Sequence, residues 1–190
     1  MEHQEQHPPD SEAEPRRSQP RIYVASLSDF NAGHLLGAWI DADDEPEALL
    51  GAIDDMLQQS TEPVAEEWAI HDQDGFSPLV LSEFESIDTV SRIAQGITEH
   101  GIAFAHWAAE IGTDQDDLDA FEDHYLGHWP SMTAFAEELA DDFGIEQQLD
   151  AISEPFRWYI RVDYDAFARD LSLDYLTSED HDGIHLWSHP

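Results

Sequence analysis

The stretch Glu66-Glu67-Trp68-Ala69-Ile70-His71-Asp72-Gln73-Asp74-Gly75-Phe76 places four carboxylates around a short apolar run that closes on a turn. Trp68 and Ile70 have the bulk and branching of strand residues, and Asp72-Gln73-Asp74-Gly75 is a turn signal, so a strand over residues 67–71 is expected. Strand alternation then turns Trp68 and Ile70 to a core and leaves Glu67 and His71 on the other face. The rest of the sequence repeats this rule, with apolar residues for a core and acid on nearly every free face.

Upstream, residues 21–27 (Arg-Ile-Tyr-Val-Ala-Ser-Leu) have strand character, and residues 34–41 are their expected partner across a polar turn around Asn31 and Gly33. A helix follows, capped by Asp43 or Asp44, with Pro46 in its first turn and Leu49, Ile53, Met56 and Leu57 on one face. Residues 20–78 are thus expected to form a small α+β unit. Residues 1–19, polar and containing prolines, read as a disordered extension without a signal peptide.

Downstream the period becomes helical. Ile87, Val90, Ile93, Ala94 and Ile97 make a stripe that stops at His100-Gly101, and residues 102–111 are apolar enough for a buried helix. Thr113-Asp114-Gln115-Asp116 resembles a capping box and opens a helix with Leu118, Phe121 and Tyr125 on its inner face. Asp114, Asp116, Asp117, Asp119, Glu122 and Asp123 lie on the same segment, and residues 79–129 are expected to be a helical unit.

Beyond the break at Gly127-His128-Trp129-Pro130, a helix from Ser131 is expected to bury Phe135, Leu139 and Phe143 and to present Glu137, Glu138, Asp141 and Asp142. A short helix over 145–152, a strand over 158–162, a helix over 164–171 and a hairpin around His181-Asp182-Gly183 complete a second α+β unit, residues 130–190. The expected fold class is α+β, a chain of three small units.

The charge decides which functions survive. Lys+Arg is 7 against Asp+Glu 43, a formal net charge of −36. Residues 21–78 carry thirteen acids and one Arg, 79–130 eleven and one, and 131–190 fourteen and three, so the charge belongs to the folded surface rather than to a tail. Duplex DNA carries one charge per about 1.7 Å, so thirty-six charges correspond to roughly 60 Å of duplex, whereas a globule of this length has a radius of gyration near ~16 Å. An elongated protein could match that spacing. Such a surface repels nucleic acid, and no basic patch is present to bind it.

No nucleophile elbow, P-loop or dinucleotide glycine pattern appears, and the sequence lacks cysteine. Carboxylate pairs are too common for any one pair to mark a catalytic site, so no catalytic residue and no cofactor are expected. His124 and His128 are four residues apart, as are His181 and His185, but neither pair has the Glu of His-Glu-x-x-His, and no metal site is expected. The even spacing of Trp39, Trp68, Trp107, Trp129, Trp158 and Trp187 suits core anchors better than a ligand cage. No run reaches transmembrane length, so no membrane association and a cytoplasmic location are expected.

Residues 21–27, Gly37-Ala38-Trp39-Ile40-Asp41 and, above all, the acidic stretch from Glu66 through Gly75-Phe76 resemble the ArdA antirestriction proteins. The resemblance covers residues 20–190. It implies an elongated three-domain DNA mimic, usually a homodimer, that occupies the DNA-binding cleft of type I restriction-modification enzymes without catalysis. Glu66, Glu67, Asp72 and Asp74 fall in what looks like the family's antirestriction motif. Pattern alone adds Asp114, Asp116, Asp117, Asp119, Glu122, Asp123, Glu137, Glu138, Asp141 and Asp142 to the expected partner-binding surface. The competing expectation is a salt-adapted acidic structural or protein-binding module without a restriction target.

Overall fold

In a computed structural model that describes residues 19–190, β1 (Arg21–Ser26) forms the centre of an antiparallel sheet between β2 (Gly37–Asp41) and β3 (Trp68–Asp74). The expected extension, residues 1–19, lies outside the described residues except for Gln19, whose side chain donates to Asp43 Oδ1 at 2.9 Å. A short helix, α1 (Leu27–Asn31), stands where a plain turn was expected. Its N-cap Ser26 accepts the Asp29 N–H through Oγ, which the sequence Ser26-Leu27-Ser28-Asp29 signals as a capping pattern.

β3 runs three residues further than its turn-like sequence suggests. Asp72, Gln73 and Asp74 pair with Tyr23, Ile22 and Arg21 after a register shift at Tyr23/Val24, and the chain turns only at Gly75, with φ at 83°. Ile70 is buried and Trp68 packs against the core, as alternation predicts, while Glu67 and His71 are exposed. Gln73 replaces a neighbouring strand, donating from Nε2 to the Leu79 carbonyl and accepting the Leu81 N–H, both at 2.6 Å. The Ile70 N–H reaches Glu83 O at 2.9 Å, so this sheet edge is covered.

α2 (Pro46–Leu57) buries Leu49, Ile53, Met56 and Leu57, the predicted stripe. Its N-cap is Glu45, without a side-chain cap bond, rather than Asp43 or Asp44. The Asp44 carbonyl instead accepts Ser91 Oγ at 2.7 Å, which ties the helix entrance to α3 (Ile87–His100). α3 buries its whole predicted stripe and ends at Gly101, with φ at 75°, before the buried α4 (Ile102–Ile111). Only glycine adopts that left-handed geometry readily, so the stop lies where the residue type demands it.

The helix expected next is two pieces, α5 (Gln115–Asp119) and α6 (Phe121–His124). Leu118 and Phe121 are buried as expected, but Tyr125 opens a strand, β4 (Tyr125–Trp129). Local pattern reads Tyr-Leu-Gly-His-Trp as a helix end and a break, because its strand partner, Ile184–Ser188, lies far along the chain. β4 pairs with β6 (Ile184–Ser188), which also pairs with β5 (Tyr175–Glu179) to give the sheet order β4-β6-β5.

α7 (Met132–Asp142) starts at Ser131, whose Oγ accepts the Ala134 N–H, and buries Phe135, Ala136 and Ala140. Phe143, expected in the core, is 68% exposed because the helix has ended at it. α9 (Tyr164–Leu171) coincides with its expected helix, and α8 (Ile145–Asp150) stops two residues short of the expected 145–152. The expected strand over 158–162 is a 3-10 turn, Phe156–Tyr159, and irregular chain; Trp158 is 66% exposed there.

The fold class is α+β, with nine α-helices and two three-stranded antiparallel sheets among the described residues. One apolar cluster extends from Ile22 and Val24 through α2, α3 and α4 to Phe121 and Trp187. A smaller cluster joins Phe135, Ala136, Ala168, Leu171 and Leu186. Neighbours on β6, Trp187 and Leu186, therefore serve different clusters, as alternation across a strand requires.

Candidate partner-binding surface

The first group of acids sits on the segment that leads into β3 and on β3 itself. The Glu67 carbonyl accepts the Leu27 N–H at 3.0 Å, and Ser28 Oγ donates to Val64 O at 2.6 Å, which anchors the approach to the strand on α1. Beneath them Asp29 is buried and accepts Ser26 Oγ and Ser60 Oγ, both at 2.6 Å. Those two hydroxyls hold its carboxyl below the usual carboxylate range. Glu66, Glu67 and Asp72 are left facing solvent. Asp74 is half-buried and paired with Arg21 at 3.0 Å, and the same guanidinium lies 4.8 Å from the Trp39 ring centroid.

The second group lies on α5 and α6. Asp114, Asp116, Asp119, Glu122 and Asp123 are exposed, while Asp117 is half-buried. The Trp107 indole donates to the Asp117 carbonyl at 2.8 Å and pins this segment onto α4. Asp116, Asp117, Glu122 and Asp123 occupy first turns, where the helix N-terminus favours negative charge. Asp119 is paired with Arg92 at 2.7 Å.

The third group is the outer face of α7. Glu137, Glu138, Asp141 and Asp142 are all exposed, opposite Phe135, Ala136 and Ala140. Glu137 and Asp141, like Glu138 and Asp142, are like charges one turn apart, each pair costing a few tenths of a kcal/mol (~0.2–0.5). Asp141 and Asp142 also end the helix, at the negative pole of its dipole. Burial, followed by the charges of Glu146, Glu137 and Asp141, pushes the Tyr164 phenol up, so the field of this face reaches α9.

Twelve of the fourteen predicted surface acids are therefore exposed, and they stand on three separate parts of the chain. Arg21, Arg92 and Arg157 are ion-paired with carboxylates, Arg157 to Glu146 at 3.2 Å. Of the basic cluster at 157–169, Arg161 donates instead to the carbonyls of Trp158 and Ile160. Five arginines face thirty-eight acids over residues 19–190, so most of the charge has no internal cation.

Sequence spacing missed a polar network on the second sheet. Spacing pairs His124 with His128 and His181 with His185, whereas the antiparallel register sets His128 opposite His185. Asp180, in the β5–β6 turn, lies 3.0 Å from His128 Nε2 and 3.2 Å from His185 Nε2. Burial acts to raise the Asp180 carboxyl, but bonds from His128 and the N–H groups of Asp182 and Gly183 outweigh it and hold it well below the usual carboxylate range. His124 is taken up elsewhere, with Nδ1 2.8 Å from Ser188 Oγ and its ring stacked on Trp107.

A mixed α+β fold whose exposed chemistry is overwhelmingly carboxylate defines an acidic protein with a dispersed charged surface. The chain belongs to the ArdA family: the family described as antirestriction protein (ArdA) matches residues 22–185. No curated protein matches the chain. The family is one of non-catalytic antirestriction proteins, and membership implies interaction with restriction-modification enzymes. Among the described residues no helix is long and apolar enough to cross a membrane.

Proposed function

We propose that this protein is a DNA mimic that binds the DNA-binding cleft of type I restriction-modification enzymes and excludes DNA competitively, acting as a cytoplasmic homodimer. The reading is supported by the family match together with the placement of acids on solvent-facing sides of elements whose opposite sides are buried. Carboxylates spaced along such a surface stand in for phosphates. A cleft lined with cations attracts them as it attracts DNA, so association is fast and weakened by salt.

In this reading Glu66, Glu67 and Asp72, the α5–α6 acids and the α7 acids share the electrostatic work. Asp74 and Asp119 contribute less because Arg21 and Arg92 already compensate them. The acids at the C-terminal end of α7 favour a charged contact surface in particular, since they are kept where both their neighbours and the helix dipole oppose them.

The test is competition between this protein and duplex DNA for a purified type I methyltransferase over a series of salt concentrations. Displacement of DNA at low salt that fades as salt rises is expected; failure to compete at low salt would sink the proposal. Circular dichroism in dilute buffer separates it from a salt-adapted protein, whose fold would be lost there.

A further inference from the structure

We propose that His128, Asp180 and His185 form a binding site for one first-row divalent transition-metal ion of the zinc class. The site lies across three parts of the second sheet: His128 on β4, His185 opposite it on β6, and Asp180 in the β5–β6 turn. One donor atom from each residue lies within 4.8 Å of the others. The His185 Nε2 to Asp180 Oδ2 separation, 3.2 Å, is close to the ligand-to-ligand edge of a tetrahedral ion with bonds of roughly 2.0–2.1 Å, and His128 Nε2 stands 3.0 Å from the other carboxylate oxygen, Oδ1.

An independent observation points to a ligand. His185 is 4% exposed, yet its Nε2 makes no aligned hydrogen bond although Asp180 Oδ2 is 3.2 Å away. A buried ring nitrogen left without a proper partner is costly unless something else occupies its lone pair. The other ring nitrogen is already served, since His185 Nδ1 lies 3.2 Å from the Tyr125 hydroxyl. That is how a metal-binding imidazole is oriented by an outer partner.

The carboxylate is also preset. Asp180 Oδ1 accepts the N–H groups of Asp182 at 2.9 Å and Gly183 at 2.8 Å, which leaves Oδ2 toward His185. His106 stands beside the site, its ring centroid 4.8 Å from that of His185 and its Nδ1 2.8 Å from Ser178 Oγ. Two imidazoles with one carboxylate favour zinc-class ions over Mg2+ or Ca2+, and water completes the coordination.

The net charge of −36 attracts any cation loosely, so the test must separate one built site from that background. Tag-free full-length protein, freed of metal by chelator and dialysis, is titrated with Co2+ in excess Mg2+. One equivalent with the visible absorption of low-coordinate Co2+ is expected. His128→Ala, at the rim, should weaken it about 100-fold or more, and Tyr125→Phe about tenfold, with far-ultraviolet circular dichroism unchanged. His181→Ala should bind as the unaltered protein does. Absence of stoichiometric Co2+ binding in Mg2+, or equal binding by His128→Ala, would overturn the site.

Discussion

The two sheets have the same form, three antiparallel strands with the middle one paired on both sides, but they are assembled differently. The first takes all its strands from residues 21–74 and is backed by α2 and α3 through a large apolar cluster. The second joins residues 125–129 to residues 175–188. Its middle strand sends Trp187 into the large cluster and Leu186 into the small one, with the histidine network beside them. The first sheet is thus a local unit, while the second is a clasp that ties a distant part of the chain to the main core.

Removing the clasp should have the largest effect. Trp187 is fully buried between Trp107 and Tyr125, so Trp187→Ala should lose about 3–5 kcal/mol in urea unfolding. Phe143→Ala, at an exposed site of similar apolar character, should stay within about 0.5 kcal/mol. A closer probe is Gly183→Ala, because a Cβ there meets the Trp129 carbonyl and presses β4 away from the hairpin. A loss of about 1–3 kcal/mol is expected, with the first sheet's amide protection from hydrogen exchange preserved.

The first sheet is best tested through Asp29. Its carboxyl is held low in the folded protein, so its stabilising effect is present above the ordinary aspartate range and lost as pH falls through the folded value. Asp29→Asn should therefore be less stable at neutral pH, and the gap should close in strong acid. Thermal unfolding of both proteins along an acid series would show it; a gap that widens in acid contradicts the assignment.

The acids of α7 sharpen the difference between fold and function. Replacing Glu137, Glu138, Asp141 and Asp142 by Gln or Asn removes two like-charge pairs and relieves the helix dipole. Stability should rise by about 0.5–1 kcal/mol while competition with DNA falls about tenfold. A fall in stability would mean that these acids hold the fold.

Much of this was legible because the signals were local. The stripes of α2 and α3, the glycine stop at Gly101 and the β5–β6 hairpin all arise within one or two turns of chain. So did the exposed side of α7, since a helix that buries Phe135 and Ala140 must present Glu137, Glu138 and Asp141 elsewhere. Phe143 misled because periodicity does not say where a helix ends.

Sequence alone was enough for an acidic α+β protein, most of its helices, membership of the ArdA family and the dispersal of charge over the surface. Long-range pairing was needed to make Tyr125–Trp129 a strand, to carry β3 through Asp74, and to bring His128 to His185 and Asp180. The reason is physical. Helical stripes and turns follow from neighbours a few residues apart, whereas a strand's identity and a side chain's partner depend on a ladder formed with distant chain, whose register no local pattern encodes.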